Sequence, residues 1–329
     1  MPTPLKAGLV LRERYKIRRI IGQGGMGSIY LADDLRLEGR SCALKEVEHD
    51  NSLPKDMLRQ ARDQFFREAT VLARLDHPNL PKVSDFFSED QRDYLVMDFV
   101  PGKDLRTMMN DARQKESFLP ERDVLSWAAQ LTDALTYMHN QDPPILHRDI
   151  KPSNLKLTPS GLIKLVDFGL VKILASEEMT ITILQGRGTA LYTPLEQYGG
   201  DTGHTDVRSD IYALGATLYH LLTNSPPIEA RERFLHPDSL VLPRQINPNL
   251  SARTERGVLW AMSLHPDERP QSVEEFRQAL FGNLNPITQP RQSFPRPILA
   301  DLLTNDPERI LAFISLGLLM LSLIITVFR

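Results

Sequence analysis

The sequence predicts an α+β protein of two lobes, a small lobe rich in β-strands followed by a larger lobe that is mainly α-helical. Short runs of β-branched and aromatic residues are concentrated in the first part of the chain. Apolar residues at helical spacing dominate the region after it. The 329 residues exceed the length of one small domain, which fits a two-lobed unit with additional segments.

Composition excludes several classes of protein. The chain has 39 Lys and Arg against 42 Asp and Glu, a formal net charge of −3, and is 41% hydrophobic. These values are typical of a globular protein, so a disordered or fibrous chain is excluded. An isoelectric point near 6.3 gives no general attraction to nucleic acid, and no nucleic-acid partner is expected.

The chain has one cysteine, Cys42. A single cysteine forms no intramolecular disulfide, and no Cys/His cluster with zinc spacing accompanies it. We expect Cys42 to be a buried small residue on a strand rather than a redox switch. A reducing compartment is the expected environment.

The first lobe is predicted to hold three strands and one helix, and it ends at Tyr94-Leu-Val-Met97. The strands are predicted at residues 15–21, 28–33 and 41–47. The helix follows the third strand and is indicated by apolar residues at helical spacing from Leu58 to Leu72. It is expected to end before His77-Pro78.

The second lobe is predicted to be built from helices. An amphipathic helix is indicated by Val124, Trp127, Leu131, Leu135 and Met138. Two more are predicted in the stretches 210–223 and 273–281.

A glycine cluster separates the first two predicted strands. It reads Gly22-Gln-Gly24-Gly25-Met-Gly27. Such a G-x-G-x-x-G motif is a weak signal alone, because dinucleotide folds and ordinary hairpins also use it. A dinucleotide fingerprint opens a helix, whereas here Ser28 begins another strand. The motif therefore predicts a hairpin whose backbone N–H groups close over phosphates.

Charged residues that favour phosphoryl chemistry follow. Lys45 lies among apolar residues on its strand, which favours a buried and paired ammonium, and Glu68 lies in the middle of the next helix. The alternative for both is a solvated surface charge. Further along are His147-Arg148-Asp149-Ile-Lys151-Pro-Ser-Asn154 and Leu165-Val-Asp167-Phe168-Gly169. Together they supply a carboxylate for a hydroxyl proton, a lysine for a transferring phosphoryl group, and oxygen ligands for Mg²⁺.

These four motifs in this order resemble those of the Hanks-type (eukaryotic-like) serine/threonine protein kinases, and the glycine loop is similar to that of their bacterial branch. The resemblance covers residues 15–282 and implies a two-lobed protein kinase fold, with an N-lobe at about 15–97 and a C-lobe at about 101–282. It also implies transfer of the γ-phosphoryl group of ATP to protein Ser/Thr hydroxyls, with Mg²⁺, or Mn²⁺ in its place, as the metal.

The resemblance assigns roles by position. Asp149 would orient and deprotonate the substrate hydroxyl, and Lys151 would neutralise charge on the γ-phosphoryl group. Lys45 would hold the α- and β-phosphates and pair with Glu68. Asn154 and Asp167 would bind the metal. The implied nucleotide contacts are Ile21, Gly22, Gly24, Gly25, Gly27, Ile29 and Ala43, with Met97 at the back of the pocket, Asp98, Phe99 and Val100 in the hinge, and Asp104 at the ribose.

The resemblance also implies structural partners in the second lobe. Asp210 would anchor the catalytic loop, and Arg269 would pair with Glu196. An apolar column of active kinases would be formed by Leu72, Val83, His147 and Phe168, for which plain core packing is the alternative. Lys151 and Thr189 match the serine/threonine rather than the tyrosine pattern.

Two positions depart from the family pattern. The segment Pro194-Leu195-Glu196 stands where the family has Ala-Pro-Glu, which keeps the glutamate and shifts the proline, so the shape of the substrate-docking loop is open. Lys156 stands where the family has an apolar residue under the adenine. Its alkyl stem can cover the ring while its ammonium group reaches water, and altered nucleotide binding is the alternative.

Phosphorylation is expected to regulate the site. We expect phosphorylation of Thr180 or Thr182 to order the segment between Asp167 and Glu196 through hydrogen bonds to Arg148. The alternative is that Met179 to Ile183 is a short strand with solvent-facing threonines.

The C-terminal part of the sequence predicts a membrane anchor. Residues 310–328 form a run of 19 residues without a charge, long enough as a helix to cross a bilayer. The alternative is a buried terminal helix. Residues 283–309 contain five prolines, which predicts a linker. Arginines precede the run, namely Arg291, Arg296 and Arg309, so the kinase domain is expected in the cytoplasm. No cleaved signal is expected in the first 16 residues.

Two rival functions are kept open. The first is a nucleotide-binding pseudokinase scaffold, which Lys156 and the Pro194-Leu195-Glu196 variant favour and the intact Lys45, Asp149, Asn154 and Asp167 oppose. The second is a small-molecule kinase, although the segment from Gly188 to Glu196 resembles a peptide-docking segment. Dimerisation has no support in the sequence, since Gly317 has no partner glycine at G-x-x-x-G spacing.

Overall fold

A computed structural model describes residues 4–24, 27–47, 54–90, 92–167, 190–198 and 205–282. All of them fall in the first of two units into which the chain divides, Met1–Asn283. Several predictions lie outside the described residues: those on Gly25, Phe168, Gly169, Thr180, Thr182, Gly188 and Thr189, on the linker 283–309 and on the anchor 310–328. No helix in the described ranges is long and apolar enough to span a membrane.

A six-stranded antiparallel sheet forms the first lobe. Its strands, in the spatial order β1-β2-β3-β4-β6-β5, are β1 (Val10–Leu11), β2 (Tyr15–Gly24), β3 (Gly27–Asp34), β4 (Ser41–Val47), β5 (Val83–Glu89) and β6 (Arg92–Asp98). Consecutive strands β2, β3 and β4 are neighbours, and β6 pairs with β4 with Lys45 opposite Leu95. Strands β1 to β4 therefore form a meander. A helix follows β4 in sequence, and the hairpin of β5 and β6 then completes the sheet, with β6 next to β4.

Alternation of side chains gives the sheet two apolar faces. On β4, Ala43 and Val47 belong to the main core, while Cys42 and Leu44 belong to a second cluster on the opposite face. Cys42 is 1% exposed, and burial raises the pKa of its thiol to about 11. The prediction that Cys42 is a buried residue on a strand is confirmed.

Helix α1 (Lys55–Ala73) packs on the main-core face of the sheet against β5 and β6. Phe65, Ala69 and Leu72 recur at helical spacing and are all buried there. Glu68 lies on the same side of α1 and is 7% exposed.

The second lobe is helical, as the sequence predicts. Its helices are α2 (Leu105–Gln114), α3 (Glu121–His139), α4 (Val207–Thr223), α5 (Ala230–Leu235), α6 (Pro243–Ile246), α7 (Ala252–Ala261) and α8 (Val273–Phe281). A small sheet of β7 (Lys103–Asp104), β8 (Leu155–Leu157) and β9 (Ile163–Leu165) lies beside α2 and α3.

Helix α4 is the centre of this lobe. Nearly all of its residues are buried, and it packs against α2, α3, α7 and α8. A helix that is apolar on every side suits a position inside other helices. At Gly215 a Cβ atom would lie 2.7 Å from the Cβ of Ala261, so glycine permits the close approach of α4 and α7.

The predicted elements are present, with shifts at their ends. Strand β2 continues to Gly24 instead of ending at Ile21, because Gly24 pairs with Gly27 and extends the ladder through the glycines. Helices α1 and α4 each begin three residues before the predicted start, at Lys55 and Val207.

The unpredicted elements are β1, β5, β6, β7, β8, β9, α2, α5, α6 and α7, most of which are short. Helix α2 carries a helical period, since Leu105, Met108, Met109 and Ala112 recur at helical spacing.

A buried ion pair joins two distant parts of the second lobe. Arg269 donates to Glu196 through Nη1 to Oε1 at 2.6 Å and Nη2 to Oε2 at 3.0 Å, and the predicted pairing of the two residues is thereby confirmed. The Arg269 side chain is fully buried and also donates to the carbonyls of Ser263, Leu264 and Arg208. Burial would raise the pKa of Glu196, but the hydrogen bonds and charge of Arg269 hold it below its usual value.

Substitution Arg269→Met is expected to lower the free energy of unfolding by about 3 kcal/mol or more, because it leaves the Glu196 carboxylate buried without its cation. The pKa of Glu196 is lowered in the folded state. Its contribution to stability is therefore complete above the unfolded pKa of about 4.3 and is lost as the pH falls below it. Denaturant titrations over this pH range measure both effects.

The matched control is Arg253→Met, at an arginine on α7 that is not buried, which should change stability by less than about 0.5 kcal/mol. Equal losses in the two variants would contradict the assigned weight of the Glu196 ion pair.

Candidate active site

A buried carboxylate fixes the loop that contains the predicted catalytic residues. Asp210, on α4, accepts the backbone N–H of His147 and of Arg148, each at 2.8 Å, and lies 3.0 Å from His139 Nε2. Asp210 is 1% exposed. Burial opposes its charged form, but these donors hold the pKa of Asp210 below its usual value. Asp210 therefore holds the backbone of this loop, which confirms the prediction that it anchors the loop.

Two residues of the site adopt left-handed backbone conformations. Arg148 has φ of 63° and Asp167 has φ of 65°. Such conformations cost non-glycine residues about 1 kcal/mol or more and persist where the surroundings impose them. At Arg148 the hydrogen bond to Asp210 supplies that constraint, and the turn sets the direction of Asp149. The sequence gives no signal for this feature.

Asp149 is held between a cation and an amide. Lys151 Nζ lies 3.0 Å and 2.9 Å from its two carboxylate oxygens. Asn154 Nδ2 donates to the Asp149 carbonyl at 2.8 Å and to its Oδ2 at 3.0 Å. The carboxylate is thereby fixed in orientation, while its side chain keeps 15% exposure to solvent. A carboxylate this well oriented can accept a proton from a substrate hydroxyl that binds within hydrogen-bonding distance of it.

A second ion pair crosses from the first lobe to the second. Lys45, on β4, forms an ion pair with Asp167 Oδ1, just beyond β9. Burial would raise the pKa of Asp167, but the charge and hydrogen bond of Lys45, with help from Lys151, lower it. The expected pairing of Lys45 with Glu68 stays a prediction.

The glycine hairpin lies directly beside Lys45. Gly27 has φ of 135°, and a Cβ atom there would lie 2.2 Å from the backbone oxygen of Glu46. Only glycine permits this contact, which brings the start of β3 against β4. Ile29 pairs with Lys45 across these strands, and Gly22 pairs with Ile29. The described glycines of the motif, Gly22, Gly24 and Gly27, therefore all lie on the hairpin of β2 and β3, which is next to the strand that carries Lys45.

The predicted purine contacts are brought together at the end of the sheet. Met97 pairs with Ala43 of β4 on one side and with Val83 of β5 on the other, and all three are buried. Ile21 and Ile29 pack against the same core.

The chain then leaves the sheet at the predicted hinge. The Asp98 backbone N–H donates to the Lys82 carbonyl at 3.0 Å, and Val100 is buried. This bond fixes the point at which the chain passes from the first lobe to the second.

Asp104 has a local partner in addition to its predicted place at the ribose. It caps α2, where its carboxylate accepts the Thr107 backbone N–H at 2.8 Å and the Thr107 hydroxyl at 3.0 Å. This cap fixes the start of α2 at the edge of the site.

The oxygen atoms at the site fit a magnesium ion that shares its ligands with phosphates. Asn154 and Asp167 are brought together by a hydrogen bond from the Val166 backbone N–H to the Asn154 carbonyl at 2.8 Å. Among the described residues no three His, Cys, Asp or Glu side chains gather in a way that would hold a metal alone. Mg²⁺ commonly binds one or two protein oxygens and completes its shell with substrate phosphates and water.

The predicted apolar column and the predicted regulatory arginine, Arg148, lie around the same site. Leu72, Val83 and His147, three members of the predicted apolar column, are buried. Burial lowers the pKa of His147, which favours its neutral form. Arg148 is half-buried, and burial lowers its pKa against the opposing charges of Asp210 and Glu68.

Comparison with known proteins gives the same assignment as the geometry. A family model described as "Protein kinase domain" matches residues 15–280. The chain belongs to the protein kinase family. This confirms the resemblance to the Hanks-type kinases at the level of the family.

The kinase domain is similar to bacterial proteins. It is 37% identical over 275 residues to a probable serine/threonine-protein kinase of Streptomyces coelicolor, covering 80% of this chain and 39% of that protein. It is 32% identical over 281 residues to the serine/threonine-protein kinase PknB of Mycobacterium leprae, covering 82% of this chain and 43% of that protein. The chain thus spans about two fifths of the length of these relatives.

A solved structure is also similar. The PknI kinase domain of Mycobacterium tuberculosis is 29% identical with a TM-score of 0.64, and the match covers 84% of this chain and 98% of that one. The two-lobed fold predicted from the sequence is confirmed by this likeness.

Lys156, which the resemblance places under the adenine, lies between a carboxylate and an aromatic ring. It pairs with Asp104 across β7 and β8, and its Nζ lies 5.7 Å from the centre of the Phe99 ring. Burial lowers the pKa of Lys156, with Asp104 opposing that shift. The ammonium group is therefore partly desolvated and stabilised by an aromatic face and a carboxylate.

Substitution Lys156→Met keeps the alkyl stem and removes the charge. We expect the KM for ATP to stay equal or to fall by about twofold to fivefold, because the desolvated ammonium no longer opposes stacking of the base. Steady-state kinetics with varied ATP measure the change. Lys103→Met, at an exposed lysine one strand away, is the control. A KM that rises more than about fivefold would show instead that the ammonium binds the nucleotide.

Proposed function

We propose that the protein is a serine/threonine protein kinase that transfers the γ-phosphoryl group of ATP to hydroxyl groups of proteins. The observation that supports it most is the Asp149 carboxylate, oriented by Lys151 and Asn154 on a loop that Asp210 fixes. This carboxylate lies in the same site as the Lys45–Asp167 ion pair.

The proposed step is an in-line displacement. The hydroxyl oxygen of the substrate bonds to the γ-phosphorus, the bond from that phosphorus to the β–γ bridging oxygen breaks, and ADP leaves. Asp149 accepts the hydroxyl proton. Lys151, which contacts both oxygens of Asp149, supplies positive charge next to the transferring group. Catalysis by this arrangement consists of positioning and countercharge.

The remaining charged residues bind and orient the nucleotide. Lys45, on the strand beside the glycine hairpin, is well located to bind phosphate oxygens. Asn154 and Asp167 are the residues that would hold Mg²⁺, with Mn²⁺ as the alternative metal. Bound there, the metal neutralises phosphate charge.

Apolar side chains complete the nucleotide site. Ala43, Met97 and Val100 are buried at the end of the sheet and in the hinge. They provide apolar surface for the base, whose flat ring gains by leaving water.

A pseudokinase scaffold is not favoured. The acid, the two lysines and the metal-binding pair are all present, and the relatives are described as serine/threonine kinases. A small-molecule kinase also has less support, because Glu196 and its partner Arg269 hold the segment 190–198, whose sequence resembles the end of a peptide-docking loop.

Regulation by phosphorylation of Thr180 or Thr182 belongs to the proposal. Arg148 lies half-buried next to Asp149, where a phosphate group on the segment would bind it. The support is the position of Arg148 and the threonines of the sequence.

The full chain incubated with labelled ATP, Mg²⁺ and a basic protein is expected to label that protein or itself. Asp149→Asn removes the proton acceptor at nearly constant volume, and we expect a loss of at least about a hundredfold in rate. Mass spectrometry of the labelled chain locates the modified residues, with Thr180 or Thr182 expected. Equal labelling by the Asp149→Asn variant would contradict the proposal, and so would an unlabelled wild-type chain that ATP still stabilises against heat.

We further propose that the chain is anchored in a membrane with its kinase domain in the cytoplasm. The support is the charge-free run 310–328 and the arginines that precede it. The preceding segment 283–309, rich in proline, would act as a spacer.

In cell fractionation the full chain is expected in the membrane pellet, resistant to extraction by high salt and released by detergent, because a helix of apolar side chains partitions into lipid. A chain ending at residue 285 is expected in the supernatant. Recovery of the full chain in the supernatant would exclude the anchor.

A further inference from the structure

One face of α2 carries two arginines without local partners. Arg106 and Arg113 are about two helical turns apart and therefore project from the same side of the helix. Both are exposed. Among the described residues neither forms a hydrogen bond or an ion pair with another side chain. Two guanidinium groups on one side of a helix, without carboxylate partners among the described residues, form a surface that can bind anions. We call it the α2 arginine face.

The α2 arginine face lies next to the catalytic loop. Helix α2 packs against the turn Pro152–Asn154, which follows Lys151, and against α4. On α4, Thr217 donates its hydroxyl to the Ile150 carbonyl at 3.2 Å, and His220 follows one turn later. Both arginines are close enough to His220 to help burial lower its pKa, to about 4. The arginines, α4 and the catalytic loop are thus neighbours.

The segment before Glu196 meets the same place. Tyr192 bonds to His220 Nδ1 at 2.6 Å, and its ring stacks on the imidazole with centroids 6.0 Å apart. Arg106 acts electrostatically on the Tyr192 hydroxyl. A polypeptide that binds beside the segment 190–198 on its way to Asp149 would therefore pass the α2 arginine face.

The opposite side of α2 differs in charge. There Asp111 accepts from Lys103 Nζ at 2.8 Å, so that side carries a neutralised pair. The uncompensated positive charge of α2 is therefore concentrated on the side of Arg106 and Arg113, both of which act electrostatically on His220.

We propose that the α2 arginine face selects protein substrates in which Asp or Glu side chains lie near the acceptor hydroxyl. The inference rests on the proposed kinase function and names the substrate class of that same site. The carboxylates of the substrate pair with Arg106 and Arg113 while the hydroxyl reaches Asp149.

The chain itself contains a sequence of this kind. Thr180 is preceded by Ser176-Glu177-Glu178-Met179, with two carboxylates just before a threonine. A second copy of the chain is therefore a substrate of suitable charge, and its sequence provides a defined probe.

The experiment compares two peptides with the sequence of residues 172–183, one native and one with Glu177→Gln and Glu178→Gln. The full chain is expected to use the native peptide with a kcat/KM about fivefold higher than that of the Gln peptide, mainly through a lower KM. This magnitude is typical of two solvent-exposed ion pairs, here between the peptide glutamates and the two arginines. In the double variant Arg106→Gln and Arg113→Gln, the ratio of kcat/KM for the native peptide to that for the Gln peptide should fall to about one. Raised salt should weaken the preference, since exposed ion pairs are screened.

Controls separate charge from fold. Arg122→Gln removes an arginine whose side chain is 92% exposed on the neighbouring α3, and it should keep the native preference. Arg106→Lys with Arg113→Lys should restore most of it. Equal use of both peptides by the wild-type chain would overturn this inference while leaving the kinase function intact. Absence of transfer to either peptide, to a basic protein and to the chain itself would overturn the kinase function.

Discussion

The structure depends on the carboxylate of Asp210. It is buried inside the second lobe and has its charge satisfied by two backbone N–H groups of the catalytic loop and by His139. A buried charge is tolerated only when its hydrogen bonds are complete, so the loop has to adopt the conformation that completes them. The left-handed conformation of Arg148 follows from this requirement, and the direction of Asp149 follows from Arg148.

Helix α4 makes that arrangement rigid. It carries Asp210 near its start, supports Ile150 through Thr217, and is surrounded by α2, α3, α7 and α8. The buried pair of Glu196 and Arg269 fixes the segment 190–198 to the same lobe, with Ser209 of α4 also donating to Glu196 at 2.7 Å. The loop of the predicted catalytic residues and the segment 190–198 are therefore both held by α4, and their relative placement follows from the packing of that helix.

The charged residues inside the site differ from those at its rim in whether they are paired. Inside the site Lys45 pairs with Asp167, and Lys151 pairs with Asp149. A nucleotide entering the site would compete for these lysines with its phosphates. At the rim, Arg106 and Arg113 have no such partners among the described residues, which leaves their charge available to a macromolecule.

The sequence by itself determined the fold class, and it predicted the acid, the lysines and the metal-binding pair, because their spacing and flanking strands form a specific pattern. It also predicted Asp210 and the partner of Glu196 through resemblance. Helix α2 is predictable from periodicity, because Leu105, Met108, Met109 and Ala112 recur at helical spacing, whereas Val83, Phe86 and Phe87 of β5 do not alternate strictly. Only the tertiary structure decided how these residues meet. It placed Phe99 and Asp104 around Lys156, gave Arg148 its left-handed backbone, and brought the arginines of α2 beside α4. Such features arise from contacts between residues distant in sequence, and their free energies depend on burial and packing, which a single sequence does not record.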